Sequence, residues 1–102
     1  MRLTEECRAH LVGITGAGLS SLAAYLSEGG TTVSGSDLRP GPAAGALRGL
    51  GIQVRAGHDA ANVDFTGGVV VASAAIPAGN PELAEARRRR SEEHTSELQS
   101  PN

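Results

Sequence analysis

The feature that most constrains this chain is an apolar run that breaks into a cluster of small residues, HLVGITGAGLSSLA, His10 to Ala23. Residues 10–14 are short, apolar and bounded by glycine, the pattern of a buried strand. From Ala17 to Glu28 the apolar positions Leu19, Leu22, Ala23 and Leu26 recur at spacings of three and four, the pattern of a helix, and Gly29-Gly30 ends it. A strand that hands over to a helix through a tight glycine turn commits the next strand to a parallel course, because the helix must carry the chain back to its starting edge.

The rest of the chain repeats the alternation. Thr32 to Ser36 opens β-branched and ends at Asp37, which predicts a second strand. After the turn RPGP, Arg39 to Pro42, the segment Ala43 to Leu50 predicts a short helix closed by Gly51. Ile52 to Arg55 is the third expected strand. Gly68 to Ser73, GVVVAS, is the fourth and the most apolar, hence expected to be central. The loop IPAGNP then leads into a last helix, in which Asn80 caps the backbone N–H groups and Pro81 takes the first turn, where its missing donor is harmless. The predicted class is α/β: a Rossmann-like three-layer unit with a parallel sheet, incomplete at the C-terminus because no strand is expected after the last helix.

Length and composition narrow the possibilities. A chain of 102 residues forms one domain at most, and with one Tyr, one Phe and no Trp its core must come from Val, Ile, Leu and Ala. No apolar run reaches about 18 residues and the N-terminal residues lack an unbroken apolar stretch, so no membrane contact and a cytoplasmic location are expected. Cys7 is the single cysteine, without neighbours at metal-ligand spacing, and is expected to be structural or a surface thiol. The run Arg87 to Arg90 suits a solvated helix end whose charge complements the dipole, and nucleic acid is not an expected partner.

The glycine turn carries the chemistry. A helix that starts beside a strand end presents unpaired N–H groups and about half a positive charge, which is a seat for phosphate. In the dinucleotide pattern G-x-G-x-x-G, Gly13 and Gly18 take the first and third places and Thr15 the second, with Gly16 beside it. Phosphate binding and a merely tight turn both fit. Asp37 follows Gly18 by 19 residues, at a strand end, where an acid can accept from ribose hydroxyls or can cap the turn before Arg39-Pro40. On these residues alone, an NAD(P)-binding domain of an oxidoreductase is one candidate.

Four segments together resemble the N-terminal domain of the Mur ligases: HLVGITGAGLSSLA, VSGSDL (Val33 to Leu38), AGHDAANV (Ala56 to Val63) and SAAIPAGNPEL (Ser73 to Leu83), in the family's order and spacing over about residues 8 to 89. The resemblance implies a domain spanning residues 1–89 that binds the uridine diphosphate part of UDP-N-acetylmuramate rather than NAD. By the same resemblance Gly13, Thr15, Gly16, Ala17, Gly18, Leu19 and Ser20 would line the pyrophosphate. Asp37 and the loop Ser73, Ala74, Ala75 and Ile76 would lie near the uridine. His58 is expected in a loop at the strand ends, stabilising a turn or facing solvent. Three positions depart from the family's habit: Thr15 stands where glycine is usual, Ser21 where Gly or Ala is frequent, and Ala74 where a second serine is usual. Thr15 either adds a β-carbon beside the expected pyrophosphate, lowering affinity, or donates its hydroxyl to a phosphate oxygen, in which case Thr15→Gly would not tighten binding; Ala74 removes one hydrogen-bond donor.

The parent reaction implied by the resemblance uses ATP, with Mg²⁺ holding its phosphates, to activate the muramyl carboxylate as an acyl phosphate that L-alanine attacks. This sequence has no lysine and so no G-K-[ST] loop. The expectation is that this fragment uses no cofactor, holds no metal and supplies no catalytic residue. The central ATP domain and the C-terminal domain of the parent would be its missing partners. Residues 91–102, SEEHTSELQSPN, contain no Arg, Gly or Ala. The stretch from Arg90 to Ser100 matches the in-frame translation of a common sequencing-library adapter, so residues 90–102 are expected to be a non-native tail that follows a natural chain cut within a helix.

Overall fold

The computed structural model describes residues 7–65, 67–93 and 96–99, the last helical turn (90–93) and residues 96–99 by backbone alone. In chain order the elements are β1 (Arg8–Val12), α1 (Ala17–Glu28), β2 (Thr32–Asp37), α2 (Gly41–Gly49), β3 (Gln53–Ala56), a 3₁₀ turn (Ala60–Asn62), β4 (Val69–Ala72), α3 (Pro81–Glu93) and β5 (Ser96–Gln99). All strand pairs are parallel and the sheet order is β3-β2-β1-β4-β5. The predicted α/β parallel architecture is the observed one.

Strand alternation divides the core into two layers. Ala9 and Leu11 of β1, Val33 of β2 and Val71 of β4 face the layer that also buries Leu19 and Ala23 of α1 and Ala44 and Leu47 of α2. Leu22 and Leu26 pack against that layer, so the apolar spacing read along α1 is its buried stripe. On the opposite face Val12, Val70 and Ala72 meet Val63, Phe65 and, from α3, Leu83 and Ala86. The alternation also sends His10, Ser34 and Ser36 to this second face, where they form a polar strip inside an apolar layer.

Close packing explains Gly35. A Cβ there would lie 2.6 Å from Ile14 Cβ and 2.7 Å from the Leu11 carbonyl oxygen, so β2 can approach β1 and Ile14 only without a side chain. Asn80 caps α3 as its sequence position implies: its Oδ1 accepts from the N–H of Glu82 at 2.8 Å and of Leu83 at 3.3 Å.

Two expectations need correction. A strand does follow the last helix: the backbone of Ser96–Gln99 pairs with β4 in the register Val69↔Ser96 to Ala72↔Gln99. An uncovered strand edge offers unpaired N–H and C=O groups to any extended segment that reaches it, and such pairing requires no particular side-chain pattern. β1, not β4, occupies the middle of the sheet, while β4 lies inside it between β1 and β5. Residue 90 falls within the continuous helix α3.

Candidate functional site

The chain passes from β1 outward to β2 and β3 on one side, then to β4 and β5 on the other. The order reverses between β1 and β4, and in open parallel α/β sheets the crevice at the carboxyl ends of the strands beside such a reversal is where ligands bind. The two predicted loops meet there. Gly13 adopts φ +85°, a conformation that side chains rarely take, and a Cβ on it would touch Ile76 Cδ1 at 3.4 Å and Ser73 Cβ at 3.5 Å. The β4 loop is tied back by the Ser73 N–H to the Val12 carbonyl at 3.2 Å, and folded on itself by the Ala75 N–H to Ser73 Oγ at 3.1 Å. Ala74 and Ala75 are exposed beside it.

The donors of the glycine turn divide into two groups. Those of Gly13 and Ile14 both go to the Ser36 carbonyl, at 2.8 and 3.1 Å, and that of Gly16 goes to the Gly13 carbonyl at 3.0 Å. The Thr15 N–H reaches Asp37 Oδ2 at 3.2 Å. These four groups are engaged inside the protein. Gly16 is the N-cap of α1 and no side chain caps the helix, so the N–H groups of Ala17, Gly18 and Leu19 remain open. Ala17 and Gly18 are exposed. The Leu19 side chain is buried in the core, so only its backbone is available there. The Ser20 hydroxyl donates to the Ala17 carbonyl at 3.1 Å.

The threonine among the glycines behaves differently from expectation. Its hydroxyl donates to Asp37 Oδ2 at 2.6 Å and not outward to a ligand, because the carboxylate at the end of β2 lies directly beside it. The one hydroxyl hydrogen is thereby used. Asp37 Oδ1 accepts the Arg39 N–H at 3.3 Å, the turn-capping bond anticipated for it.

Beneath the crevice lies a cluster that sequence reasoning missed. Glu82, in the first turn of α3, has no solvent exposure. Its Oε1 accepts from His10 Nε2 at 2.6 Å and Ser36 Oγ at 2.7 Å; its Oε2 accepts from Asn62 Nδ2 at 2.8 Å and the Asp59 N–H at 3.0 Å. Burial acts to raise the pKa of this carboxyl. The hydrogen bonds from His10, Ser36 and Asn62, with the charge of His10, outweigh it and bring the value down to about 2. The helix N-terminus at which the carboxylate sits acts in the same direction.

His58 belongs to this cluster and is not turned to solvent. Since Ser36 Oγ spends its hydrogen on Glu82, it accepts from His58 Nδ1 at 2.9 Å, and that nitrogen also lies 3.4 Å from Glu82 Oε2. His10 Nδ1 meets Ser34 Oγ at 2.8 Å. The cluster reaches the crevice through Ser36, whose hydroxyl is held by Glu82 and whose carbonyl holds the Gly13 and Ile14 amides. A polar cleft of about 640 Å³ opens beside it, lined by Arg55, His58, Asp59 and Asn62 among others. The signal available in the sequence was the pairing of period-2 alternation in HLV and SGSD with an acid two residues after Asn80. Among the described residues, no group of three or more His, Cys, Asp or Glu side chains is placed to hold a metal ion. None of the described helices is long and apolar enough to cross a membrane.

Comparison with known proteins bears on what this arrangement serves. The profile of the Mur ligase family, catalytic domain, matches residues 8–98. The UDP-N-acetylmuramate--L-alanine ligase of Mycobacterium sp. (strain JLS) is 51% identical over 86 residues, covering 80% of this chain and 18% of that protein. The protein of the same name from Mycobacterium avium (strain 104) is 50% identical over 86 residues, covering 80% and 17%, and that from Mycobacterium tuberculosis (strain ATCC 25177 / H37Ra) matches to the same extent. The chain thus spans less than a fifth of the length of these curated relatives. The comparisons lend no support to an oxidoreductase.

Proposed function

The chain belongs to the Mur ligase family, and from that premise we propose that it is the part of a UDP-N-acetylmuramate--L-alanine ligase that holds the uridine diphosphate of UDP-N-acetylmuramate. The observation that carries this is the set of three open amides, Ala17, Gly18 and Leu19, facing the crevice at the sheet's point of reversal. A diphosphate there gains the helix dipole and several charge-assisted hydrogen bonds without displacing any internal bond. Gly13, Thr15 and Gly16 shape the turn rather than donate, while Asp37 and the loop from Ser73 through Ala74 and Ala75 to Ile76 lie on the uridine side.

In the parent reaction ATP, with Mg²⁺, would activate the muramyl carboxylate for attack by L-alanine. The residues of this chain bind and orient the nucleotide end of the acceptor, and the phosphate loop for ATP belongs to sequence outside these 102 residues, which contain no lysine. The fragment alone is then inactive in ligation. The reaction places the protein in peptidoglycan synthesis in the cytoplasm. Residues 90–102 are proposed to be translated adapter. Sequencing the underlying DNA tests this, and any codon series other than the adapter's would remove it.

Calorimetric titration of the 102-residue chain with UDP-N-acetylmuramate, and in parallel with NAD, tests the assignment. Saturable heat with the first and none with the second is expected. Binding of NAD alone, or of neither by a chain that unfolds cooperatively, refutes it.

A further inference from the structure

We propose that Thr15 converts Asp37 from a ribose acceptor into a positioning residue for the glycine turn, so that the crevice selects ligands gripped by their diphosphate over ligands gripped by a ribose diol. The inference rests on the diphosphate reading above. It begins from the valence of one carboxylate. A side chain that clasps a ribose diol must offer acceptor lone pairs to two hydroxyls at once. Asp37 Oδ2 already accepts two donors from Thr15, the hydroxyl at 2.6 Å and the N–H at 3.2 Å, and Oδ1 accepts the Arg39 N–H at 3.3 Å, three of the about four acceptor sites a carboxylate offers. One acceptor site is left, too few for a diol.

The same contacts fix the turn. An O–H donating to a carboxylate at 2.6 Å belongs to the strong, short class of hydrogen bond, and here it is doubled by a backbone bond from the same residue. Thr15 immediately precedes Gly16, the uncapped start of α1, so a two-point tie on Thr15 sets the direction in which the Ala17, Gly18 and Leu19 amides point. Between Gly13 at φ +85° and exposed Gly16 the turn has two side-chain anchors, Ile14 buried in the core and Thr15 tied to Asp37, and only the second adjoins the start of α1. Glycine at this position would keep the longer bond and lose the shorter one.

The test compares the 102-residue chain with Thr15→Val, which keeps the branched Cβ but removes the hydroxyl, with Thr15→Ser, which keeps the hydroxyl, and with Asp37→Asn. UDP and NAD are titrated into each, thermal midpoints are recorded, and amide exchange is followed from Thr15 to Leu19. Thr15→Val is expected to weaken UDP about 10- to 100-fold, the size of one charge-assisted hydrogen bond. NAD, for which the parent is expected to give no saturable heat, should become a detectable ligand of Thr15→Val, and Thr15→Ser should restore the parent's behaviour towards both. A Thr15→Val chain with unchanged UDP affinity and preference, or a Thr15→Ser chain as impaired as Thr15→Val at equal thermal midpoint, overturns the proposal. A parent chain that binds no UDP counts against the diphosphate reading instead. In that case exchange decides: faster exchange at the bonded amides of Thr15 and Gly16 in Thr15→Val and Asp37→Asn supports the tie, and unchanged exchange overturns it.

Discussion

Replacing Glu82 by glutamine removes one charge and almost no volume from the most highly bonded side chain of the described structure. The carboxylate is completely buried and accepts from His10 Nε2, Ser36 Oγ, Asn62 Nδ2 and the Asp59 N–H. Turned one way, a glutamine NH₂ confronts the Asn62 NH₂ and the Asp59 N–H, which can only donate; turned the other way, it meets His10 Nε2 and Ser36 Oγ, which must reverse their roles to accept it. Two orphaned donors at about 1–3 kcal/mol each, or reversal of the buried His10–Ser36 bonds, predict a loss of roughly 2–6 kcal/mol. Proton linkage expresses the same bonds as a dependence on pH. Lowering the carboxyl from its ordinary 4.5 to about 2 corresponds to stabilisation of about 3 kcal/mol. Because the folded value is the lower one, this stability is fully present above about pH 4.5 and drains away as pH falls towards about 2. Glu85, held low by Arg88 and Arg89, titrates in the same window but is common to both proteins and cancels in the comparison. Urea unfolding of the parent and Glu82→Gln chains, from neutral to strongly acidic pH, measures both effects. The gap between them should be several kcal/mol near neutrality and close progressively in acid. A Glu82→Gln chain within about 1 kcal/mol of the parent at neutral pH, or a gap that stays constant into acid, would show that the cluster does not couple α3 to the sheet as described.

Three further substitutions probe the frame around the site. Gly35→Ala would put a Cβ 2.7 Å from the Leu11 carbonyl oxygen and should cost about 1–3 kcal/mol in chemical denaturation, whereas a neutral result would mean that β1 and β2 stand further apart than described. Asn80→Ala removes the acceptor for the Glu82 and Leu83 N–H groups and should cost about 1 kcal/mol, most of it regained by Asn80→Asp; equal unfolding midpoints for all three chains would refute the cap. Gly13→Ala forces a side chain to φ +85° and should lower stability by about 1–2 kcal/mol while weakening UDP, and an alanine chain that binds and melts like the parent would contradict the assigned turn geometry.

Much of the frame was legible in the residues. α1 was expected from Ala17 to Glu28 and lies there, since its stripe of Leu19, Leu22, Ala23 and Leu26 and its glycine stop are local signals. α2 begins two residues earlier than expected and β3 is displaced by one residue, because small and glycine-rich stretches mark ends weakly. β5 was illegible: SELQ lacks a β-branched run, and what places it is the backbone edge of β4. At the site, the glycine turn, Asp37 and the Ser73–Ile76 loop were correctly singled out as neighbours of one crevice, but the destination of each donor was not. The Thr15 hydroxyl looked free to meet a phosphate because nothing in a linear reading puts a carboxylate 2.6 Å away.

The sequence by itself determined what depends on near neighbours along the chain: the alternation of strand and helix, the turn at Gly13, the Asn80 cap and the family to which the chain belongs. Side-chain periodicity, caps and turns are set within a few residues, so they survive in one dimension. Tertiary structure alone decided the cluster in which Glu82 meets His10, 72 residues away, and Ser36, 46 residues away, and the tie of Thr15 to Asp37 across 22 residues. Those bonds exist because parallel register sets His10 beside Ser34 and lays the first turn of α3 over them, an arrangement fixed by how strands are aligned and not by any one segment.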